Sequence, residues 1–156
     1  GHLLPLPSLA GTEEQPVHFR PRDPAQPWPS FIHHRVATPA AYGLGAAAEG
    51  VKVGEHFGGR AVDPDARPEG QDTAALRRVS RYVGEWLPGL DPTPVSWTHC
   101  LYDSTAGEDF VIDRRGRLVV VAGTSGHGFK FVPAVGEMLA DLAFGGEQSR
   151  VRFRLG

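Results

Sequence analysis

Over the first two thirds of the chain, apolar and polar residues alternate in short stretches cut by proline and glycine, and helical spacing is rare. Residues 15–22 alternate through Val17 and Phe19 and predict a strand ending at Pro21. Residues 30–36 and 40–45 predict two more, joined by a turn at Thr38-Pro39, with Tyr42 on the second. Residues 50–57 alternate cleanly, which puts Val51, Val53, Glu55 and Phe57 on one face and Lys52, Gly54 and His56 on the other. Lys52 and His56 therefore project the same way, set between glycines and ready to face a cavity. Asp72 predicts the N-cap of a helix running through Trp86, with Leu76, Val79, Val83, Trp86 and Leu87 as its apolar stripe and Pro88-Gly89 as its stop. Residues 94–103 return to strand character, 109–113 predict a short strand, 114–117 a basic turn, and 150–155 an edge strand.

One stretch organises the rest. Residues 118–122 are continuously apolar and mostly β-branched, the pattern of a strand covered on both faces. Gly123, Gly126 and Gly128 then allow a sharp turn, and Val132, Val135, Leu139 and Leu142 follow at helical spacing, with Pro133 early enough to be tolerated. Strand, glycine turn and helix start together aim several backbone N–H groups at one anionic or electron-rich partner, with Lys130 at the mouth.

Composition narrows the partner. At 156 residues and 40% hydrophobic, the chain can bury a core. A net charge of -2, with the sixteen Lys and Arg scattered, leaves no footprint for nucleic acid or an anionic membrane, so a small molecule is expected. One cysteine excludes an internal disulfide framework and a cysteine-built zinc site and fits a reducing, cytoplasmic setting. No apolar run approaches the roughly 20 residues that span a bilayer, and the proline-broken segment 3–9 is not expected to be a secretory signal.

Several chemistries fail on spacing. Gly123 and Gly128 are separated as in a phosphate-binding loop, but Phe129 precedes Lys130 and Phe131 stands where a magnesium-binding hydroxyl belongs. No G-x-G-x-x-G lies between strand and helix. No metal site is expected: His33 and His34 are adjacent and point apart on a strand, and His18, His33, His34 and His99 read as solvated or locally hydrogen-bonded imidazoles. Ser125 lies in a sharp turn that is not a nucleophile elbow, and Cys100 and His99 are strand neighbours that face apart.

Four blocks in order carry a resemblance. Cys100-Leu101-Tyr102, residues 108–114, residues 122–131 and residues 136–142, preceded by Ala41-Tyr42-Gly43 and residues 51–56, resemble the C-terminal half of the monomeric sarcosine oxidase and N-methyltryptophan oxidase family of FAD-dependent amine oxidoreductases. The likeness runs from about residue 15 onward.

The resemblance implies a covalent FAD held by a thioether from Cys100, a role that suits a nucleophilic thiolate. It implies that Gly126, His127, Gly128, Phe129 and Lys130 lie at the flavin ring and the substrate carboxylate, where backbone N–H groups stabilise negative charge on the pyrimidine end of the ring. Lys130 is implied to pair with the carboxylate, Lys52 to promote the reaction with oxygen, and His56, Tyr42 and Tyr102 to line the substrate cavity. The implied reaction is oxidation of a small secondary amine or N-methyl amino acid with O2 as electron acceptor and hydrogen peroxide as product. The family's N-terminal glycine fingerprint for FAD is not in these residues, so the flavin half is expected in cis or as a separate chain. The expected fold is α+β: a mainly antiparallel sheet with a flanking helix in a substrate domain over 1–104, then a strand–turn–helix over 105–156 belonging to a Rossmann-type FAD domain. The competing expectation is a non-catalytic fragment or interaction domain that never meets FAD.

Overall fold

A computed structural model describes residues 3–46, 49–67, 69–146 and 151–155. The chain folds as α+β, with antiparallel sheets and two α-helices among the described residues. It divides into two units, one of residues 13–101 and one of residues 1–12 with 102–156.

The 13–101 unit is built on five strands: β2 (Val17–Pro21), β3 (Phe31–His33), β4 (Ala40–Ala46), β5 (Gly50–His56) and β7 (Leu90–Trp97). They are ordered β3-β4-β5-β2-β7, every neighbour antiparallel. Pro92 and Pro94 fall in β7, at the edge of the sheet, where a missing N–H interrupts no inner ladder. One face of this sheet is apolar. Val17, Phe19, Ala41, Val51 and Val53 pack there against Val79, Tyr82 and Val83 of helix α1 (Thr73–Trp86), all 4% exposed or less. Each fully buried side chain of this size is worth about 1.5–3 kcal/mol, several times the propensity of any helical residue, so this contact places α1.

Polar groups then fix the edges of that contact. The Glu55 carboxylate accepts from Arg35 Nη2 at 3.2 Å and from Arg78 Nε of α1 at 3.0 Å. Gln15, itself buried, exchanges two hydrogen bonds with the backbone of Asp72, at 2.9 and 2.7 Å. Asp72 caps α1 as expected, its Oδ1 accepting from Ala74 N and Ala75 N at 2.9 and 3.0 Å. Trp86 departs from the expected stripe: it is 51% exposed, and its ring meets His33 edge-on while Tyr82 takes the core position.

Strand β1 (Ala10–Glu14), which the proline-rich opening did not suggest, joins β6 (Arg60–Ala61) and β8 (Cys100–Ser104) in a three-stranded sheet of order β6-β1-β8. The expected strand over 94–103 is in fact two, β7 and β8, broken at Thr98-His99.

In the other unit, β9 (Val111–Arg115) and β10 (Leu118–Ala122) form an antiparallel hairpin whose turn is closed by Gly116 at φ 61°. Helix α2 (Val132–Ala143) lays Val135, Met138, Leu139 and Leu142 against Phe110 and Ile112. Strand β10 has β9 as its partner in a two-stranded sheet, and Leu118 and Val121 are each 40% exposed, so the described residues do not supply all the cover that this apolar run calls for. The expected edge strand over 150–155 is also overturned. Val151–Phe153 form a 3-10 turn that tucks Phe153 beside Phe110, and Leu155 N donates to Asp113 Oδ2 at 2.9 Å; Arg150 lies outside the described residues. Alternation alone specifies no strand where a buried carboxylate and an aromatic cluster offer the chain other partners. No helix among the described residues is long and apolar enough to cross a membrane.

The cap gives a prediction. Asp72→Ala removes both hydrogen bonds to the first turn of α1 and is expected to lower stability by about 1 kcal/mol in chemical denaturation. Backbone hydrogen bonds from Ala75 and Ala74 hold the Asp72 carboxyl below its ordinary value, outweighing the desolvation that opposes them. The cap's contribution is thus present above the unfolded-state pKa and lost as pH falls through the folded one, so wild type and Asp72→Ala converge in stability on acidification. A gap that stayed constant down to about pH 3 would contradict this.

Candidate functional site

Pleat parity assigns the polar residues of the five-stranded sheet. Because Val51 and Val53 point at α1, Lys52, Gly54 and His56 point the other way. Register adds neighbours to that side: Tyr42 lies opposite Gly54, Leu44 opposite Lys52, and His18 opposite Lys52 on the other flank. The Tyr42 ring occupies the space that a side chain at Gly54 would fill, since a Cβ there would stand 2.8 Å from its Cζ. The structure thus brings Lys52, His56 and Tyr42 to one face, half-buried, the first two by the alternation of their own strand and Tyr42 by register.

Cys100 opens β8. Its residue is exposed and its thiol is unbridged. Partial desolvation pushes the thiol above its ordinary pKa; the Lys52 ammonium acts in the opposite direction and the Glu14 carboxylate reinforces the rise. Lys52 therefore lies within electrostatic reach of the one nucleophilic sulfur in the chain. Glu14 is 2% exposed. Its neighbour Glu13 is buried too; its carboxylate holds Arg60 at 2.8 Å and stands 3.1 Å from His99 Nδ1 without the alignment of a hydrogen bond.

The glycine turn belongs to the other unit and is held by one side chain. Asp103 Oδ2 accepts from Gly123 N at 2.8 Å, and its Oδ1 accepts from Thr124 N at 3.0 Å and Thr124 Oγ1 at 2.7 Å. The Asp103 backbone carbonyl takes Ser125 N at 3.1 Å. Gly123, Ser125 and Gly126 all lie in the left-handed region, at φ 68°, 50° and 72°. Ser125 bears this because it is fully buried and its Oγ donates to Gly123 O at 3.1 Å. Gly126 has no alternative, since a Cβ there would stand 2.2 Å from the Tyr102 ring. Tyr102 is accordingly placed beneath the turn, 6% exposed.

Beyond the clamp, the chain is left open. His127 Nδ1–H donates to Ser125 O at 2.9 Å and its ring stacks on Phe110 at 5.2 Å. Phe129 is 93% exposed, and Lys130 is exposed with its ammonium 5.3 Å from the Phe131 ring centre. His127 N and Phe131 N are spent on Thr124 O and Gly128 O, whereas the N–H groups of Gly126, Gly128, Phe129 and Lys130 carry no hydrogen bond among the described residues. Four unspent donors and an ammonium within residues 126–130 suit an anionic or carbonyl-bearing partner. No cluster able to hold a metal ion occurs among the described residues.

Sequence reasoning did not single out Asp103, and it read His18 as a solvated or locally hydrogen-bonded imidazole, whereas the strand pairing buries it to 5% exposure with Nδ1 unpartnered among the described residues. Asp103 ends a stretch with ordinary strand character, and its lone signal is a carboxylate about twenty residues before a turn crowded with small polar N–H groups. A test of the clamp is direct: Asp103→Ala is expected to raise amide hydrogen exchange at Gly123 and Thr124 by at least about tenfold, since each loses a charge-assisted bond worth about 1.5–3 kcal/mol. Gly126→Ala adds a left-handed strain and a clash with Tyr102 and is expected to destabilise by more than about 1 kcal/mol. Unchanged exchange in Asp103→Ala would mean that the turn is held by something else.

The chain matches the family model described as FAD dependent oxidoreductase over residues 2–142. It is 35% identical to the peroxisomal sarcosine oxidase of Homo sapiens over 127 residues, 76% of this chain and 32% of that one. It is 34% identical to the N-methyl-L-tryptophan oxidase of Yersinia pestis over 124 residues, 76% of this chain and 33% of that one. Among solved structures it is similar to NikD, described as an unusual amino acid oxidase essential for nikkomycin biosynthesis, with a TM-score of 0.76 and 26% identity over 94% of this chain and 42% of that one. The chain thus spans about a third of the length of the sarcosine and N-methyltryptophan oxidases it matches. With the match covering most of its length, the chain belongs to the FAD-dependent oxidoreductase family, among the relatives of the sarcosine and N-methyltryptophan oxidases.

Proposed function

We propose that this chain is the C-terminal part of a flavin-dependent oxidase of secondary amines or N-methyl amino acids, working with an N-terminal FAD-binding half in cis or on a separate chain. One observation carries the reading: the 13–101 unit turns its apolar sheet face to α1 and sets Lys52, His56 and Tyr42 together on the other, with the free Cys100 thiol inside the field of Lys52. Residues 13–101 then act as the substrate side, and the hairpin, glycine turn and α2 as a piece of a Rossmann-type FAD domain.

The residues present fit FAD in chemical type. Cys100 is an exposed thiol without a disulfide partner, able to carry the flavin as a thioether. The turn of the other unit offers the unspent N–H groups of Gly126, Gly128, Phe129 and Lys130, donors suited to the carbonyl-rich pyrimidine end of a flavin. Held by these residues, FAD would supply the two-electron redox chemistry: the amine would lose a hydride and a proton to become an imine, and O2 would take up the two electrons and two protons as hydrogen peroxide.

The protein's own residues orient and polarise. Lys130 gives a fixed positive charge for a substrate carboxylate. His127 is oriented by its Nδ1 contact to Ser125 O, which leaves Nε2 on the free edge of the ring. Tyr42 and His56 shape and polarise the amine's surroundings, and Lys52 places positive charge where oxygen gains electrons. Lys52 has a second effect, because its ammonium favours the Cys100 thiolate.

The chemistry of Cys100 provides the first test. Its thiol is held above the ordinary value mainly by desolvation, so little thiolate exists at neutral pH and covalent attachment of FAD is expected to quicken from about pH 7 to 9. Lys52→Met is expected to slow it at every pH in that range. Intact mass after denaturation reports the attached flavin; none retained on a Cys100 peptide would end the attachment claim, while peroxide formation would still judge the oxidase reading. In the second test, Lys130→Ala is expected to raise KM for a carboxylated amine by about 10-fold or more, the worth of one charge-assisted hydrogen bond. An amine lacking the carboxylate should be unaffected. Equal effects on both would remove Lys130 from carboxylate binding.

A further inference from the structure

His18 stands on the polar side of the five-stranded sheet and yet is 5% exposed, with its Nδ1 buried and without a hydrogen-bond partner among the described residues. Its other ring nitrogen, Nε2, faces the Glu49 carboxylate at 3.5 Å. A carboxylate only accepts, so a neutral His18 keeps its proton on Nε2 and directs a bare lone pair from Nδ1. A buried acceptor in that state needs a donor.

Strand position and register set three side-chain donors beside it among the described residues. Arg20 is next along the same face of β2, two residues on, and is exposed to solvent. Ser96 lies across the β2–β7 pair, also exposed, beside the register shift that separates His18 from Phe19. Lys52 lies directly across the regular β2–β5 ladder, half-buried, where facing Cβ atoms approach to about 4.5–5.5 Å. Its ammonium makes no ion pair or hydrogen bond among the described residues, and Leu44, its neighbour on β4, offers none.

We propose that His18 is a positioning residue for Lys52: Nδ1 accepts a hydrogen bond from the Lys52 ammonium, directly or through one water. The tether holds the charge on the polar face of the sheet and so sets how strongly it acts on Cys100. The proposal deepens the reading of Lys52 given above, but its test needs neither flavin nor turnover, so the two fail separately.

The sequence makes the test clean, because Lys52 and Lys130 are the only lysines in the chain. Pulse acylation of the whole chain, followed by mass spectrometry, gives the reactivity of Lys52 against Lys130 as an internal reference. His18→Leu is expected to raise that ratio by about 2- to 12-fold, the factor one hydrogen bond is worth. His18→Asn, whose amide oxygen approximates the Nδ1 acceptor, should restore the wild-type ratio, and Ser96→Ala should leave it unchanged. If His18 were a packing residue only, the order would reverse, with Leu closer to wild type than Asn. A rise in Ser96→Ala equal to that in His18→Leu would assign the contact to the serine and overturn the proposal.

A second measurement keeps His18 in place. The imidazole 15N resonances should show the proton on Nε2, and Lys52→Met should move the Nδ1 signal toward that of an unbonded acceptor. A proton on Nδ1, or an Nδ1 signal indifferent to Lys52, overturns the proposal.

Discussion

A strand has a period of two, and β5 has one face that must be hidden. Val51 and Val53 are 1% and 0% exposed against α1, so Lys52, Gly54 and His56 have no freedom over which way they point. A slip of one residue in the pairing with β2 or β4 would bury an ammonium and an imidazole under the helix, an arrangement costing far more than any local preference returns. The apolar contact between sheet and helix therefore also positions the polar face, and Tyr42 and His18 join it through register alone. Core and candidate site are two consequences of one constraint.

The glycine turn answers a different requirement. Three of its residues between 123 and 126 take left-handed conformations, and a chain left to itself would relax. Asp103 opposes this with one carboxylate on three donors and its own carbonyl on a fourth. The same arrangement spends the N–H groups of Gly123, Thr124 and Ser125 on the clamp and releases those of Gly126, Gly128, Phe129 and Lys130. Rigidity on one side of the turn and unspent donors on the other are thus properties of a single hydrogen-bond network.

Where expectations from the chain failed, a competing partner explains the failure. Residues 118–122 are a different case: their apolarity states a need for cover and not its presence, and here β10 has β9 and two exposed apolar side chains. Residues 150–155 alternate like an edge strand, yet Phe153 gains more beside Phe110 and Leu155 N gains a carboxylate in Asp113. Trp86 yields its expected place to Tyr82, whose hydroxyl reaches His33 Nδ1 at 3.1 Å. Strand β1 was hidden because Leu3 to Leu9 is cut by prolines and Ala10–Glu14 has no apolar alternation to announce it.

What the sequence determined by itself was local: the two faces of β5, the Asp72 cap on α1, the glycine turn with Lys130 at its mouth, and the ordered blocks that place the chain among the amine oxidases. The first three depend on spacing within a dozen or so residues, where strand and helix periods and capping geometry act directly, and the blocks carry their information in their order along the chain. Tertiary structure alone decided that His18 stands opposite Lys52, that Lys52 lies within reach of Cys100, and that Asp103 holds the turn. Those pairs are separated by between about 20 and 50 positions, and only the pairing of strands and the burial of the groups between them brings such residues together.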